Sequence, residues 1–326
     1  MEDNIIQPLV KTAEHGTSAL DKFMGILKNR SDLKYNRELK EIEKTNLQET
    51  INIIENANIP IIYNKDGLGI INPQMQNLLE RTGNRLKAQE ILKQVNIESV
   101  LEKTQTVLEE NKEKGDDNAS SEPVNNDFLT QFINGAGEIS DQEMQLMWAK
   151  LLAGEIKQPR SFSLRTLSKL KTLTTNEARL FEKIAPYIIC NDCVVSNEKI
   201  LNEYEIKFES LIILNDCGII NLLSGMSKII SGNASVQYND LICIINQKTN
   251  VNNMENTNIH INGYILTNFG KELLKIMQVH YNNSFFIRFA KDLKEKNKEN
   301  FFISCYEAKG IEHDNVVCKF DKDLLI

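Results

Sequence analysis

The chain has 326 residues, of which 41% are hydrophobic and 25% are charged. These values are ordinary for folded globular proteins, and the length allows two or three domains. A formal net charge of -7 argues against a protein that coats nucleic acid nonspecifically, because neutralising phosphates requires a basic surface. No apolar run approaches the roughly 20 residues that span a bilayer, and the acidic N-terminus lacks a secretion signal. We therefore expect a cytoplasmic protein.

The N-terminal region, residues 1–110, has the pattern of long helices. Residues 20–57 are highly charged and carry one narrow apolar stripe at helical spacing. The members of this stripe are Leu39, Ile42, Leu47, Ile51 and Ile54. Residues 58–73 mix prolines and glycines with short apolar runs, which predicts an irregular or short β segment. Helical periodicity resumes over residues 75–110, with a break predicted around Asn96.

Two long helices with narrow apolar stripes must bury those stripes against each other, the rest of the chain or a second copy. The sequence therefore predicts a homo-oligomer that assembles through the N-terminal helices. The alternative is a monomeric helical hairpin folded onto the centre of the same chain. Residues 111–126, NKEKGDDNASSEPVNN, have almost no apolar side chain and are predicted to be a linker or a disordered loop.

A compact helical module is predicted for residues 127–186. Ser140 followed by Glu143 has the pattern of a capping box, which predicts a helix start, and Gly154 predicts the end of that helix. Its inward apolar stripe consists of Met144, Met147, Trp148, Leu151 and Leu152.

Two further helices are predicted in this module. Ser161 or Ser163 can cap a helix with three inward leucines. These are Leu164, Leu167 and Leu170. Thr174 with Glu177 forms another capping box, which begins a helix over residues 176–184.

Three runs in this module, EMQLMWAKLLAGEI, QPRSFSLRTLSKLKTL and EARLFEKIAP, resemble the bacterial domain-of-unknown-function family 2806. The pattern is also similar to the helical segment of alpha-type abortive-infection proteins, in which a WANLLA-like helix precedes a leucine-rich helix. The second resemblance implies a phage-defence role as a sensor or accessory subunit, and the first brings no catalytic residues. Where family 2806 commonly has a Pro-Gly turn, this chain has Pro159–Arg160, which puts a glycine-dependent turn geometry in question.

Residues 150–183 form a basic concentration, with eight basic and three acidic side chains. The candidate binding residues within it are Lys157, Arg160, Arg165, Lys169 and Lys171. Such a patch can bind phosphate, which makes a nucleic-acid-binding protein the alternative function. The N-terminal region offers the opposite charge, so the sequence favours an intramolecular or subunit contact for these cations.

Residues 187–326 are predicted to form an α+β domain of winged-helix-like arrangement. The pattern predicts a helix over residues 208–217 that ends at Gly218, strands over residues 235–245 and 260–266, and a helix capped by Thr267. A winged helix reads DNA with a helix in the major groove, yet residues 208–217 carry two acidic side chains and neither arginine nor lysine. The sequence therefore favours a protein partner over DNA.

The C-terminal segment contains an arrangement that suggests catalysis. A strand over residues 301–306, a turn at Lys309–Gly310 and a strand over residues 315–320 are predicted. Glu307 and Lys309, with Asp292 upstream, imitate the two carboxylates and the lysine that hold magnesium in restriction-type nucleases. Because Asp292 is expected on a helix and not on the neighbouring strand, the sequence favours an ordinary strand end with solvated charges.

The six cysteines sit mostly inside apolar runs, which favours reduced core thiols. Cys190 and Cys193 have the spacing of zinc ligands, but a single pair of this kind favours a hairpin turn at Asn191–Asp192 instead. The sequence has no recognisable phosphate-binding glycine loop and no serine or cysteine partner for its histidines. It therefore predicts no metal, no cofactor and no catalytic residue.

Together these patterns predict a mainly α protein: long N-terminal helices and a central helical module, followed by a C-terminal α+β winged-helix-like domain. The predicted domains are residues 1–110, 111–126, 127–186 and 187–326. The predicted function is that of a non-enzymatic cytoplasmic bacterial interaction protein with an unknown protein partner. The alternatives are nucleic-acid binding and, with less support, metal-dependent nuclease activity.

Overall fold

The computed structural model describes residues 18–26, 61–64, 67–70, 73–116, 118–222, 227–248, 258–312, 315–319 and 323–325. They fall into two units, one ending at Leu164 and one beginning at Arg165. The first unit is dominated by helices, whereas the second combines helices with antiparallel sheets, so the described chain is a mixed α+β protein. The predicted domain boundaries stay predictions. None of the described helices is long and apolar enough to cross a membrane.

The described part of the first unit contains a short helical segment, a β-hairpin and three helices. Residues 19–26 are helical, and the remainder of the long helix predicted over residues 20–57 lies outside the described residues. The hairpin pairs β1 (Ile61–Asn64) with β2 (Gly67–Ile70), which confirms the short β segment predicted for residues 58–73. The helices are α1 (Pro73–Glu113), α2 (Asn126–Ala136) and α3 (Gln142–Lys157).

Helix α1 runs without interruption, so the break predicted around Asn96 is wrong. The Asn96 side chain instead donates from Nδ2 to the carbonyl oxygen of Gly137, 2.9 Å away. In the C-terminal half of α1, Val100, Thr104 and Leu108 are fully buried at helical spacing, and α1 packs along α3. The N-terminal half leaves five large apolar side chains exposed. They are Leu78, Leu86, Ile91, Leu92 and Val95.

Helix α3 begins later than the sequence pattern suggests. Its N-cap is Asp141, whose carboxylate accepts hydrogen bonds from the backbone N–H groups of Glu143 and Met144, each 3.0 Å away. The capping box predicted for Ser140 and Glu143 is therefore wrong, because the adjacent aspartate satisfies these donors. The buried stripe through Met144 and Trp148 is confirmed.

The turn after α3 is organised by a buried carboxylate. The helix runs past Gly154, its predicted end, and this glycine makes room for the Phe162 ring, which would lie 2.8 Å from an added Cβ. Glu155 is 1% exposed and accepts from the backbone N–H groups of Arg160 at 2.6 Å and Phe162 at 3.1 Å. Arg160 has a φ of 67°, so this turn keeps a left-handed conformation without glycine.

The core of the first unit centres on Trp148. This side chain is fully buried, and its ring centroid lies 5.3 Å from that of Phe132. Gly135 packs directly against the indole, because an added Cβ would lie 2.1 Å from Cη2 of Trp148. Phe23 is also fully buried, so the helical segment 19–26 contributes to the hydrophobic core.

The polar segment predicted as a linker is attached to α3 where it is described. The backbone N–H of Ser120 donates to the carbonyl oxygen of Lys157 at 2.8 Å, and Val124 is buried. Lys22 donates from Nζ to the carbonyl oxygens of Ser120, Glu122 and Ile156. Burial lowers the pKa of Lys22, and nearby carboxylates oppose that effect. These contacts hold the described part of residues 111–126, predicted to be a linker or a disordered loop, against Lys22 and α3.

The second unit opens with helices α4 (Leu164–Thr172), whose first residue belongs to the first unit, and α5 (Thr175–Ile184). The capping box before α5 is confirmed: the Thr174 N–H donates to Glu177 Oε2 at 2.8 Å, and the Glu177 N–H donates to Thr174 Oγ1 at 3.3 Å. Leu167 and Leu170 are buried as predicted. Leu164, at the first position of α4, is 39% exposed, so its predicted inward orientation is wrong.

A five-stranded antiparallel sheet forms around one long strand, β9. Its order is β3 (Ile188–Ile189), β4 (Cys193–Val195), β9 (Asn258–Leu266) and β5 (Ile220–Asn221), and β6 (Ser227–Ser231) also pairs with β9. Helices α6 (Glu198–Glu203) and α7 (Phe208–Asp216) connect β4 to β5, and α8 (Asn268–Ile276) follows β9. Thr267 caps α8 by accepting from the Gly270 N–H at 3.2 Å, as predicted.

A four-stranded antiparallel sheet completes the second unit. Its order is β11 (Asn315–Lys319), β10 (Phe301–Glu312), β8 (Leu241–Gln247) and β7 (Ala234–Tyr238), and helix α9 (Asn283–Asn297) packs against β10. The strand predicted over residues 235–245 is therefore two strands, joined by a turn in which Asn239 has a φ of 51°. The turn predicted at Lys309–Gly310 is wrong, because β10 continues through an irregularity in its pairing with β11.

Asp323 attaches the described C-terminal residues to this sheet. Its Oδ1 accepts from the backbone N–H groups of Cys305 and Leu325, each 3.0 Å away, and Lys294 lies 3.6 Å from Oδ2. Burial tends to raise the pKa of Asp323, but the two backbone hydrogen bonds and the lysine together hold it below its ordinary value.

Candidate interaction surface

Helix α7 has one buried side and one exposed apolar side. Leu211 and Leu214 are fully buried, whereas Phe208, Ile212 and Ile213 are 52%, 41% and 44% exposed. The three exposed residues lie at positions i, i+4 and i+5, so they share one side of the helix. Glu209 and Asp216, at i+1 and i+8, are exposed on that side too. We refer to Phe208, Glu209, Ile212, Ile213 and Asp216 as the α7 surface.

The end of α7 is fixed by contacts at Gly218. This residue has a φ of 74°, and its carbonyl oxygen accepts from Thr267 Oγ1 at 2.6 Å and from Lys169 Nζ at 3.3 Å. The positive φ favours glycine at this position, and an added Cβ would also displace Lys169 Nζ, which would lie 2.3 Å away. One turn earlier, Asn215 Oδ1 accepts from the Leu222 N–H at 3.0 Å. The α7 surface is therefore presented by a helix with a fixed end.

Sequence reasoning placed this helix correctly but did not identify its apolar surface. The prediction of a helix over residues 208–217 did not separate its buried side chains from its exposed ones. A signal was available, because five of the nine residues in FESLIILND are large and apolar, which is more than one buried side of a short helix can hold.

Two of the predicted basic residues, both in the first unit, form ion pairs within that unit. Lys157 pairs with Asp116, and Arg160 Nη2 lies 2.8 Å from Glu122 Oε1. Both acidic partners belong to residues 111–126. These pairs are intramolecular contacts of the kind that the sequence favoured, and they reduce the positive charge that Lys157 and Arg160 can offer to another molecule.

The other three predicted basic residues lie in the second unit. Lys169 is half-buried, with Nζ bonded to Gly218 and 5.5 Å from the centroid of the Phe269 ring. Arg165 and Lys171 are exposed on α4. Lys169 thus has a structural role at the end of α7, and binding of nucleic acid through Arg165 and Lys171 stays a prediction.

A shallow cavity of about 380 Å³ lies next to the end of α7, between α4 and α5. Its lining includes Lys169, Glu177 and Cys217. Burial raises the pKa of the Cys217 thiol, and Sγ lies 3.4 Å from the carbonyl oxygen of Leu214. Because a thiol with a raised pKa is a poor nucleophile and the Glu177 carboxylate serves the capping box, these contacts build no acid–base or nucleophilic pair.

Of the residues of the nuclease alternative, Asp292 has a structural role. Asp292 lies on α9, as expected, where Oδ2 accepts from Asn197 Nδ2 at 3.0 Å and pairs with Lys296 at 2.6 Å. Glu307 is exposed on β10, and the side chain of Lys309 lies outside the described part of the chain. The contacts of Asp292 therefore join α9 to the N-cap of α6, and they do not build a two-carboxylate metal site.

The Cys190–Cys193 pair belongs to a hairpin between β3 and β4, as predicted. Cys190 and Asn191 have φ values of 53° and 59°, and the Asp192 N–H donates to the Ile189 carbonyl at 3.2 Å. Cys193 is fully buried against Gly263, where an added Cβ would lie 2.2 Å from Sγ. Among the described residues, no group of three or more histidine, cysteine, aspartate or glutamate side chains could hold a metal ion.

The buried cysteines of the other sheet are free thiols. Burial raises the pKa of Cys243 to about 12 and that of Cys305 to about 11. Both thiols lie in the hydrophobic core, as predicted, and their reduced state stays a prediction.

A comparison with protein families matches residues 80–290 to a family described as a protein of unknown function, DUF2806. Comparisons with curated proteins and with solved structures give no match. The resemblance to abortive-infection proteins finds no support in these comparisons. The family match covers more than half of the 326 residues and includes the three helical runs that first suggested it. The chain therefore belongs to the DUF2806 family.

Proposed function

We propose that this chain is a non-enzymatic interaction protein that binds a protein partner through the α7 surface. Its second unit is winged-helix-like in this proposal. The order of elements supports that assignment: α5, β4, α6, α7, then β5 with β6, then β9, with β9 between β4 and β5. In this arrangement α7 takes the place of the recognition helix.

The observation that carries the proposal is the chemistry of the α7 surface. A helix that reads DNA offers arginine, lysine or amide side chains to bases and phosphates. Here the same position offers Phe208, Ile212 and Ile213, accompanied by Glu209 and Asp216. Clustered exposed apolar side chains are typical of protein interfaces, whereas the two carboxylates repel phosphate.

The charges of the α7 surface also indicate the chemistry of the partner. Apolar side chains that share one side of a helix with Glu209 and Asp216 are complementary to an amphipathic helix with basic residues beside its apolar stripe. We propose that the partner contains a basic amphipathic helix. Binding of it would have an apolar, salt-tolerant component and a weaker, salt-dependent one.

The test uses the full chain, tagged and isolated from its own cells with whatever protein it binds. The variant Ile212→Asp/Ile213→Asp charges the α7 surface, and Phe302→Asp is the matched control, because Phe302 is 63% exposed elsewhere in the same unit. A partner with a basic amphipathic segment should be recovered with the wild type and the control and lost with the double variant. It should also bind the purified wild-type chain. Equal recovery with all three proteins would refute the proposal.

Nucleic-acid binding remains the second candidate, favoured by the exposure of Arg165 and Lys171 on α4. Fluorescence anisotropy with duplex DNA and single-stranded RNA tests it. If this candidate is correct, affinity falls steeply with salt and is lost in Arg165→Glu/Lys171→Glu. Absence of binding at low salt excludes it.

A phage-defence role, as a sensor or accessory subunit, is the cellular setting that we propose for this interaction. Its support is the sequence resemblance of the central helices alone. Plaque counts after phage infection of cells that produce the wild type or Ile212→Asp/Ile213→Asp would test it. The proposal requires that the wild type lowers the plaque count and that the variant does not.

A further inference from the structure

A second exposed apolar stripe lies on the long helix α1, in the first unit. Ala88, Ile91, Leu92 and Val95 occupy positions i, i+3, i+4 and i+7, and all four are exposed. Ile91, Leu92 and Val95 are 63%, 63% and 55% exposed. We refer to these four residues as the α1 stripe.

The α1 stripe is not a continuation of the side that packs on α3. Val95 precedes the fully buried Thr104 by nine residues, which is roughly 2.5 helical turns, so the two side chains leave the helix on opposite sides. Contacts with α3 therefore leave the α1 stripe uncovered. Three aliphatic side chains with this exposure on consecutive turns indicate an interface.

We propose that a second copy of this chain covers the α1 stripe, in an antiparallel pair with two-fold symmetry centred between Ile91 and Leu92. This arrangement places Ala88 of one copy level with Val95 of the other, so a small side chain faces a larger one. Two-fold pairing of identical surfaces is the commonest form of self-association. The proposal uses a different surface from α7, so either can fail without the other.

The charges on either side of the α1 stripe favour the antiparallel direction. About the same centre, Arg85 comes level with Glu98 and Arg81 with Glu102. In a parallel pair, each arginine would instead lie beside the same arginine of the other chain, and each glutamate beside the same glutamate. From Arg81 to Glu102 the helix extends roughly 33 Å, so the pair offers a continuous overlap along α1.

The first experiment measures the mass of the full chain by sedimentation equilibrium over a range of concentrations. We expect a reversible dimer for the wild type. Ile91→Asp/Leu92→Asp should raise the dimer dissociation constant at least about 100-fold, because it places four charges at the centre of the interface. The control is Phe302→Asp, which changes a side chain of equal exposure in the other unit and should leave the dimer intact. A wild type that is monomeric at every concentration overturns the proposal. A double variant that dimerises with the same dissociation constant as the wild type overturns it too.

The second experiment tests the direction of the pair. Ala88→Cys and Val95→Cys are prepared separately, and the wild type, which has six cysteines, is oxidised in parallel as the background. In the antiparallel pair, a mixture of the two variants cross-links above that background and each variant alone does not. Cross-linking of either variant alone above that background, or no cross-linking of the mixture above it, overturns the antiparallel arrangement.

Discussion

Replacing Gly135 by alanine tests the packing at the centre of the first unit. The added Cβ would lie 2.1 Å from Cη2, 2.8 Å from Cζ3 and 3.0 Å from Cζ2 of Trp148. The indole is fully buried and packs on Phe132, so it cannot rotate out of the way without disturbing its neighbours. We therefore expect Gly135→Ala to lower the free energy of unfolding of this unit.

The magnitude follows from two opposing effects. Overfilling a packed core costs about 1–3 kcal/mol, and exchanging glycine for alanine within a helix returns about 0.5–1 kcal/mol. Because the added Cβ would lie only 2.1 Å from a buried ring atom, the cost should fall at the upper end of its range, and the net loss for Gly135→Ala should be about 2 kcal/mol. Gly83, inside α1, is the matched control, because its added Cβ would have no atom within 4 Å. Gly83→Ala should therefore show the helical gain alone.

The assay is urea unfolding followed by fluorescence, since Trp148 is the single tryptophan of the chain and reports on the first unit. Circular dichroism should be recorded alongside, because Gly135→Ala changes the surroundings of the fluorophore. A Gly135→Ala variant as stable as the wild type, or more stable, would show that the indole does not pack against Gly135. The same outcome would contradict the position of Trp148 at the centre of the first unit's core.

Two further predictions concern buried or partly buried carboxylates. Glu155→Gln should destabilise the first unit by about 2 kcal/mol, because one of the two backbone N–H groups bonded to the carboxylate would face an amide NH₂ instead. Urea unfolding followed by tryptophan fluorescence measures this loss. An unchanged stability contradicts the role of Glu155 in the turn. Asp323 has a lowered pKa when folded, so its charge stabilises the fold above the unfolded pKa of about 3.9, and this contribution is lost as the pH falls through the folded pKa. Asp323→Asn should therefore unfold at lower urea than the wild type at neutral pH, measured by circular dichroism, and the difference should shrink below about pH 4.

Local signals located helix starts but did not always identify the capping residue. Thr174 caps α5 with Glu177 as the pattern required, although Thr175 and Asn176 follow it directly. Before α3, the adjacent Ser140 and Asp141 are equally suited to cap, and a spacing rule cannot choose between them without knowing where the helix begins. Similarly, the turn between β7 and β8 carries an Asn-Asp signal at Asn239, but the surrounding β-branched residues concealed it.

The surfaces were harder to predict than the elements, because exposure depends on packing between residues far apart in sequence. The basic concentration was a linear count of charge, and it could not show that Lys157 meets Asp116 or that Lys169 supports Gly218. Likewise, an apolar residue such as Ile212 has the same periodic signal whether it faces a core or solvent. The sequence pattern therefore located the α7 helix, but only the packing around it separated its exposed side from its buried side.

The two proposed surfaces together would change how the chain recognises its partner. A pair joined through the α1 stripe carries two α7 surfaces, and once one is bound the second acts at the effective concentration set by that pair. A partner with several basic amphipathic segments is then held more tightly than a single segment, even though each contact is small. Because each α7 surface offers only three apolar anchors and two carboxylates, a modest single-site affinity is expected. Self-association through α1 would thus supply the affinity that α7 alone lacks, and it makes recognition selective for repeated or assembled partners.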